Sequence, residues 1–155
     1  MNGSGMLSEQ CAYDFWANRT LLVGAGEEND LPRRVISLFA HTLSAYEVWQ
    51  KMLQGETLSE IEIWPDLGIA ECKTLLEEQK HFWTGYLVSQ DEEGLAEARK
   101  FSTPDGRPFA LNLFSIISQL MFNSAHHRGQ IALVLREVGM QPPQTEFSNY
   151  LYRSK

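Results

Sequence analysis

No apolar stretch in this sequence approaches the roughly 20 residues that a membrane-spanning helix needs, so no membrane partner is expected. Cysteine is almost missing. Cys11 and Cys72 are far apart, and each sits in a helical pattern with apolar neighbours. This excludes a disulfide framework and C-x-x-C chemistry. The two thiols read as small buried hydrophobes in a reducing compartment. Positive charge is also scarce. Thirteen Lys and Arg stand against 20 Asp and Glu, for a net charge of −7. The densest basic group is the pair Arg33-Arg34, which falls short of the basic footprint of a nucleic-acid-binding surface. No charged segment followed by an apolar run opens the chain, so no signal peptide is expected and a cytoplasmic location is. H-E-x-x-H, G-x-S-x-G, a phosphate-cradling glycine loop and a defined carboxylate dyad are all missing, which leaves serine, zincin and nucleotide-driven chemistries without support. Gly24-Ala25-Gly26 lacks the third glycine and the preceding strand of a dinucleotide fingerprint.

What remains is a chain of 155 residues, enough for one domain, 1–155, with a real core. Apolar residues recur at steps of three and four in four long segments. The first helix is expected over Leu7 to about Val23, with Leu7, Cys11, Asp14/Phe15, Asn18 and Leu22 near one stripe. Met1 to Gly5 reads as a flexible lead. The second helix has Asn29 or Asp30 as its cap and Pro32 in its first turn. Its stripe is Val35, Leu38, His41/Thr42, Ala45, Val48/Trp49 and Met52. Ser59 to Pro65 is a connection carrying Ile61, Ile63 and Trp64. A third helix runs from Asp66 or Leu67 to about Ser89, and Gln90–Ala98 is a loop or short helical turn. Asp105-Gly106, between Phe101 and Phe109, predicts a small hairpin or paired extended arms. The last long helix covers about Asn112 to Val138, with Gly139 as its stop. The tail from Gln141-Pro142-Pro143 has Tyr150 and Leu151 to dock back on the body. The expected fold is all-α, an antiparallel four-helix bundle with a short hairpin or extended arms before the last long helix.

The densest chemistry lies in Phe122–Gln130, which holds two of the four histidines. Asn123 and His127 are four apart and share a helical face. Leu113, Ile116/Ile117, Leu120, Ile131, Val134 and Val138 bracket that face, so His127 is expected to point inward and His126 to lie at the edge or outside. His41 lies on the apolar stripe of the second helix. A buried ring without a partner costs about 1–3 kcal/mol. Two readings satisfy these rings. In one, they bond each other, Asn123 or water. In the other, His41, Asn123 and His127 hold a divalent metal ion and leave coordination positions open. Gly129 inside this helix reads as a close helix crossing or a tight approach to a ligand, weighed against a plain packing contact. Arg128 is weighed as an anion-binding group against a partner for a surface carboxylate, and Trp16, Tyr46 and Trp49 as lining a pocket mouth against core aromatics. His81 is expected to be exposed.

Tyr13-Asp14-Phe15-Trp16-Ala17-Asn18, His41 with Ala45, Glu47 and Trp49, and His126-His127-Arg128-Gly129-Gln130-Ile131 with Leu135, Gly139 and the proline pair together resemble the DinB-like proteins. These are damage-inducible helical proteins related to thiol-dependent S-transferases. The resemblance spans nearly the whole chain. It implies a metal-ligand histidine in the second helix, matched by His41, and an H-x-x-x-H pair in the last, of which His127 is the second member. Asn123 stands where that pair usually has its first histidine, and Gln119 is not a histidine either. An amide oxygen is a weaker ligand than imidazole for zinc or nickel. The implied function is a metal-dependent enzyme, a thiol S-transferase or isomerase, with zinc or nickel as cofactor. His41, Asn123 and His127 are then the metal residues, and Arg128, Trp16 and Trp49 the substrate residues. The implied partners are a small-molecule thiol or other small substrate and a second copy in a homodimer. The alternative is a non-catalytic stress-response or binding protein that kept the fold and lost the metal.

Overall fold

In the computed structural model, residues 3–56 and 62–153 are described. Four long helices carry most of the chain: α1 (Gly3–Gly24), α2 (Arg33–Leu53), α3 (Ile69–Val88) and, after a short α4 (Glu92–Ala96) and a hairpin, α5 (Leu113–Glu137). The hairpin pairs β1 (Ala98–Ser102) with β2 (Pro108–Asn112) antiparallel, from Ala98 opposite Asn112 to Ser102 opposite Pro108. A six-residue helix, α6 (Phe147–Tyr152), closes the described chain. No helix among the described residues is long and apolar enough to cross a membrane.

The expected elements are present, with local differences at their ends. Helix α1 starts at Gly3 rather than after a flexible lead, because the Gly3 N–H donates to Glu92 Oε1 at 3.1 Å and the Ser4 hydroxyl to the Gln90 carbonyl at 3.3 Å. Pro32 is the residue just before α2 rather than part of its first turn, and Asn29 and Asp30 form a short 3-10 turn instead of the cap. Helix α3 begins at Ile69, after Asp66 and Leu67. Its first N–H groups are met by two carboxylates: Glu71 accepts from Gly68, and Glu28 accepts from Ile69. That satisfies orphan donors and places negative charge at the positive end of the helix. Gly139 does end the last long helix, in the left-handed region at φ +80°. The tail then returns along α1. A Cβ on Gly24 would lie 2.3 Å from Pro143 Cγ, so the chain crosses there only because position 24 has no side chain. Ser59 and Ile61 lie outside the described residues.

The core is divided in two. One apolar cluster holds Leu21, Val35, Phe39, Cys72, Leu76, Ile131 and Leu135. The other holds Leu7, Cys11, Phe15, Tyr46, Trp83, Leu113, Ile116 and Leu120. Read along each helix, α1 and α5 pass from the second cluster to the first, and α2 and α3 pass the other way. Helix α1 packs on α3 and α5, and α2 packs on the same two. The pairs α1–α3 and α2–α5 therefore run in opposite senses, whereas α1–α5 and α2–α3 run the same way, because the connection between α2 and α3 crosses back along the molecule. The expected antiparallel order holds for only two of the four packed pairs. Where the two clusters meet, each helix contributes polar residues: Asp14 and Asn18, Thr42 and Ser44, Gln79, and Ser124, His127 and Arg128 are all buried. The functional candidates lie in this polar layer.

Candidate metal site and a buried ion-pair network

The first group joins α2, α5 and the segment before α3. His41 on α2 and His127 on α5 approach with ring centroids 4.8 Å apart and planes at 80°. The sequence expectation that these helices bring the two rings together holds. They do not satisfy each other. His41 Nδ1 lies 2.7 Å from the Ile63 carbonyl oxygen, which also accepts from the Ser44 hydroxyl. His127 Nδ1 lies 2.6 Å from Gln130 Oε1, one turn along the helix. Both partners are oxygen acceptors, so each Nδ1 carries a proton and Nε2 is the ring nitrogen left for another partner. Burial pushes the His127 pKa below the usual imidazole value, with His41 and His126 adding to the effect against the Gln130 bond. Trp64 stacks on the His41 ring, with centroids 3.8 Å apart and planes within 5°. That Trp is itself half exposed and forms a roof over the histidine pair.

Asn123 lies one turn before His127, half-buried, and no hydrogen bond engages its side chain among the described residues. His126 is exposed, as expected, with its ring 5.3 Å from that of His127. His81 is exposed too. No group of three or more His, Cys, Asp or Glu able to hold a metal occurs among the described residues. The candidate donors are two imidazole nitrogens, with the Asn123 amide one helical turn before His127. Fixing Nδ1–H on a carbonyl so that Nε2 stays free is how ligand histidines are ordinarily oriented. The donor set therefore suits a divalent ion, though with one nitrogen fewer than a three-histidine site.

The second group joins α1, α2 and α5. Arg128 is not a surface residue paired with a surface carboxylate. It is 5% exposed, and its Nη1 reaches Asp14 Oδ1 at 2.5 Å, Ser124 Oγ at 2.8 Å and Asn18 Oδ1 at 3.2 Å. Asp14 Oδ2 also accepts from the Tyr46 hydroxyl at 2.6 Å and from Asn18 Nδ2 at 3.1 Å. Two buried charges are thus paired and bonded on both sides, which such a pair requires in a low-dielectric interior. The Tyr46 pKa is pushed well up, first by burial and then by the adjacent Asp14 carboxylate. Tyr46 is fully buried, a core aromatic rather than part of a pocket mouth.

The remaining expected residues stand apart from the histidine pair. Trp49 meets Phe101 of the hairpin edge-on at 5.5 Å. Trp16 packs on Tyr150 of α6 at 5.5 Å, where the tail docks as expected, and Arg153 covers its ring. Gly129 serves neither a helix crossing nor a packing contact, since a Cβ added there meets no atom within 4 Å. Trp64, Gln130 and Asp14 were not singled out by the sequence as site residues. For Asp14 the signal existed: Asp14 and Asn18, four apart on an apolar stripe, require a buried cation or donor set opposite.

No curated protein matches this chain significantly. The sequence model of the DinB family matches residues 33–154, which takes in His41, Asn123 and His127 and leaves α1 outside the matched span. With that match over well more than half of its length, the chain belongs to the DinB family.

Proposed function

We propose that this protein is a metal-dependent enzyme acting with a small-molecule thiol, a transferase or isomerase, whose four long helices form a four-helix bundle around the site. His41 and His127 hold the ion through Nε2, and Asn123 completes or adjusts the set. The observation that carries this reading is the pair of anchored tautomers: both Nδ1 atoms are committed to oxygen acceptors while the two rings sit 4.8 Å apart. A divalent ion of the zinc or nickel type, when bound, would keep a coordinated thiol ionised near neutral pH. Ile63 and Gln130 keep both rings in the ligating tautomer, and Trp64 shields one face of His41 from water. The thiol has to come from outside the chain. Cys11 and Cys72 are buried, and burial pushes both thiols up to about 12, where the thiolate is negligible.

The test is elemental analysis of metal-loaded protein, wild type beside His127→Ala and His41→Ala, with Trp fluorescence followed during zinc or nickel titration. The expected result is about one equivalent per chain in wild type, lost in both variants, together with thiol-dependent turnover. Wild type that keeps no metal after loading overturns the reading.

One observation favours a second reading. The third position of the set is an amide, and no three-residue His, Cys, Asp or Glu group exists among the described residues. Under this reading the protein is a non-catalytic binding member of the family, and His127→Leu is neutral or stabilising. Loss of a bound ion in that variant would sink it.

A further inference from the structure

The Arg128 network has a side that the ion pair does not use. All three hydrogen bonds of the guanidinium come from Nη1. Among the described residues, Nη2 and Nε have no partner, and the only side-chain polar atoms sealed from solvent without one are Gln79 Oε1 and Trp83 Nε1. That Nε/Nη2 edge carries no hydrogen bond to the described residues, and both Arg128 and Asp14 line a pocket of about 460 Å³ between α1, α5 and α6. That volume is in the range of small-molecule sites. Its walls are aromatic: Tyr13 from α1, Phe114 and Phe122 from α5, and Phe147 from α6. The Tyr13 ring stands 5.6 Å from the guanidinium carbon, and its hydroxyl donates to the Thr145 carbonyl at 2.9 Å, which holds the tail in place as the third wall. Phe114 and Phe122 are 56% and 73% exposed, so two large rings are turned to water around this opening.

We propose that this pocket binds a compact monocarboxylic acid with an aromatic body, the acid group on the Nε/Nη2 edge of Arg128 and the ring among Tyr13, Phe122 and Phe147. The charge argument selects a monoanion. Asp14 already neutralises Arg128 and shares the pocket floor, so a dianionic phosphate would face a fixed carboxylate. A carboxylate takes two parallel N–H donors from a planar fork, which is what the free edge offers. This site is built on the α1 side of α5, and it does not depend on an ion at His41 and His127.

The probe is 4-phenylbutyrate, titrated into the metal-free full chain, with 4-phenylbutyramide as its uncharged counterpart. Binding is read by nuclear magnetic resonance, following the Arg128 Nε–H signal and the amides of α1 and α5. Removing Arg128 would strand Asp14 and risk unfolding, so the pocket is blocked instead by Ala125→Trp, at an exposed lining position. The expected result is saturable binding of the acid with a shift of the Arg128 Nε–H signal, and amide binding weaker by about tenfold or more. Ala125→Trp should abolish binding, and His127→Gln should leave it unchanged. The proposal is overturned by equal affinity for acid and amide, by no saturation in wild type, or by binding that survives in folded Ala125→Trp. Metal retention at the histidine pair is a separate measurement, so failure of one site does not bear on the other.

Discussion

At the scale of single residues, burial sets the chemistry. Burial holds the His127 pKa down against its bond to Gln130, while Arg128 beside it is buried and kept charged because Asp14 supplies its counter-charge. The cysteines have no such partner. Burial is the first cause of the raised Cys11 thiol, and the Asp14 charge adds to it; Cys72 is raised by burial and then by Glu71 and Glu28. The folded pKa of about 12 lies above the ordinary value of 9.0. In the unfolded chain these thiols lose protons near pH 9, while the folded chain keeps them to about 12. The stability they contribute is therefore fully present below pH 9 and is lost as pH rises toward 12. Urea unfolding from pH 8 to 11 should show a wild-type decline that is shallower in Cys11→Ala. Neither thiol should react with a disulfide reagent in native protein at pH 8. An alkaline slope identical in the variant would contradict the burial account.

At the scale of elements, propensity and context come apart in α5. This helix carries a glycine at position 129, where no neighbour needs the missing side chain and the backbone is ordinary. A mid-helix glycine costs about 1 kcal/mol relative to alanine. Gly129→Ala should therefore stabilise the protein by about 1 kcal/mol in chemical denaturation. A loss of stability would contradict this account of Gly129. Gly24 behaves oppositely, since Pro143 of the returning tail occupies the space beside it. The periodicity of the sequence predicts both helices and cannot separate these two glycines. The difference lies in what a distant segment does.

At the scale of the whole molecule, the polar layer between the two apolar clusters ties three helices together. Asp14 on α1 accepts from Tyr46 on α2 and from Arg128 on α5. Asp14→Ala leaves a buried cation without its counter-charge and should cost about 3–5 kcal/mol in urea unfolding. Tyr46→Phe removes one hydrogen bond to a charged acceptor and should cost about 1.5–3 kcal/mol. A cost below 1 kcal/mol for Asp14→Ala would show that the network does not hold the helices together. His127 belongs to the same layer, next to Arg128 in the chain, so one ring of the candidate site sits beside this network.

The helical class, the four long segments, the hairpin at Asp105-Gly106 and the inward face of His127 were legible in the sequence, because periodicity, turn residues and caps act locally. The pairing of His41 with His127 was anticipated from two apolar stripes that had to share a core. Several facts were decided by tertiary structure alone. Arg128 looked like a surface cation in an acidic chain, yet its position on α5 meets Asp14, and no one-dimensional pattern pairs residues 14 and 128. Trp64 belongs to a segment without periodicity, and it roofs His41 only because that connection folds back on α2. The protonated nitrogen of each histidine followed from the Ile63 and Gln130 oxygens. Side-chain type and spacing thus fixed which residues face inward. Which of them meet, and in what protonation state, was set by contacts between segments far apart in the chain.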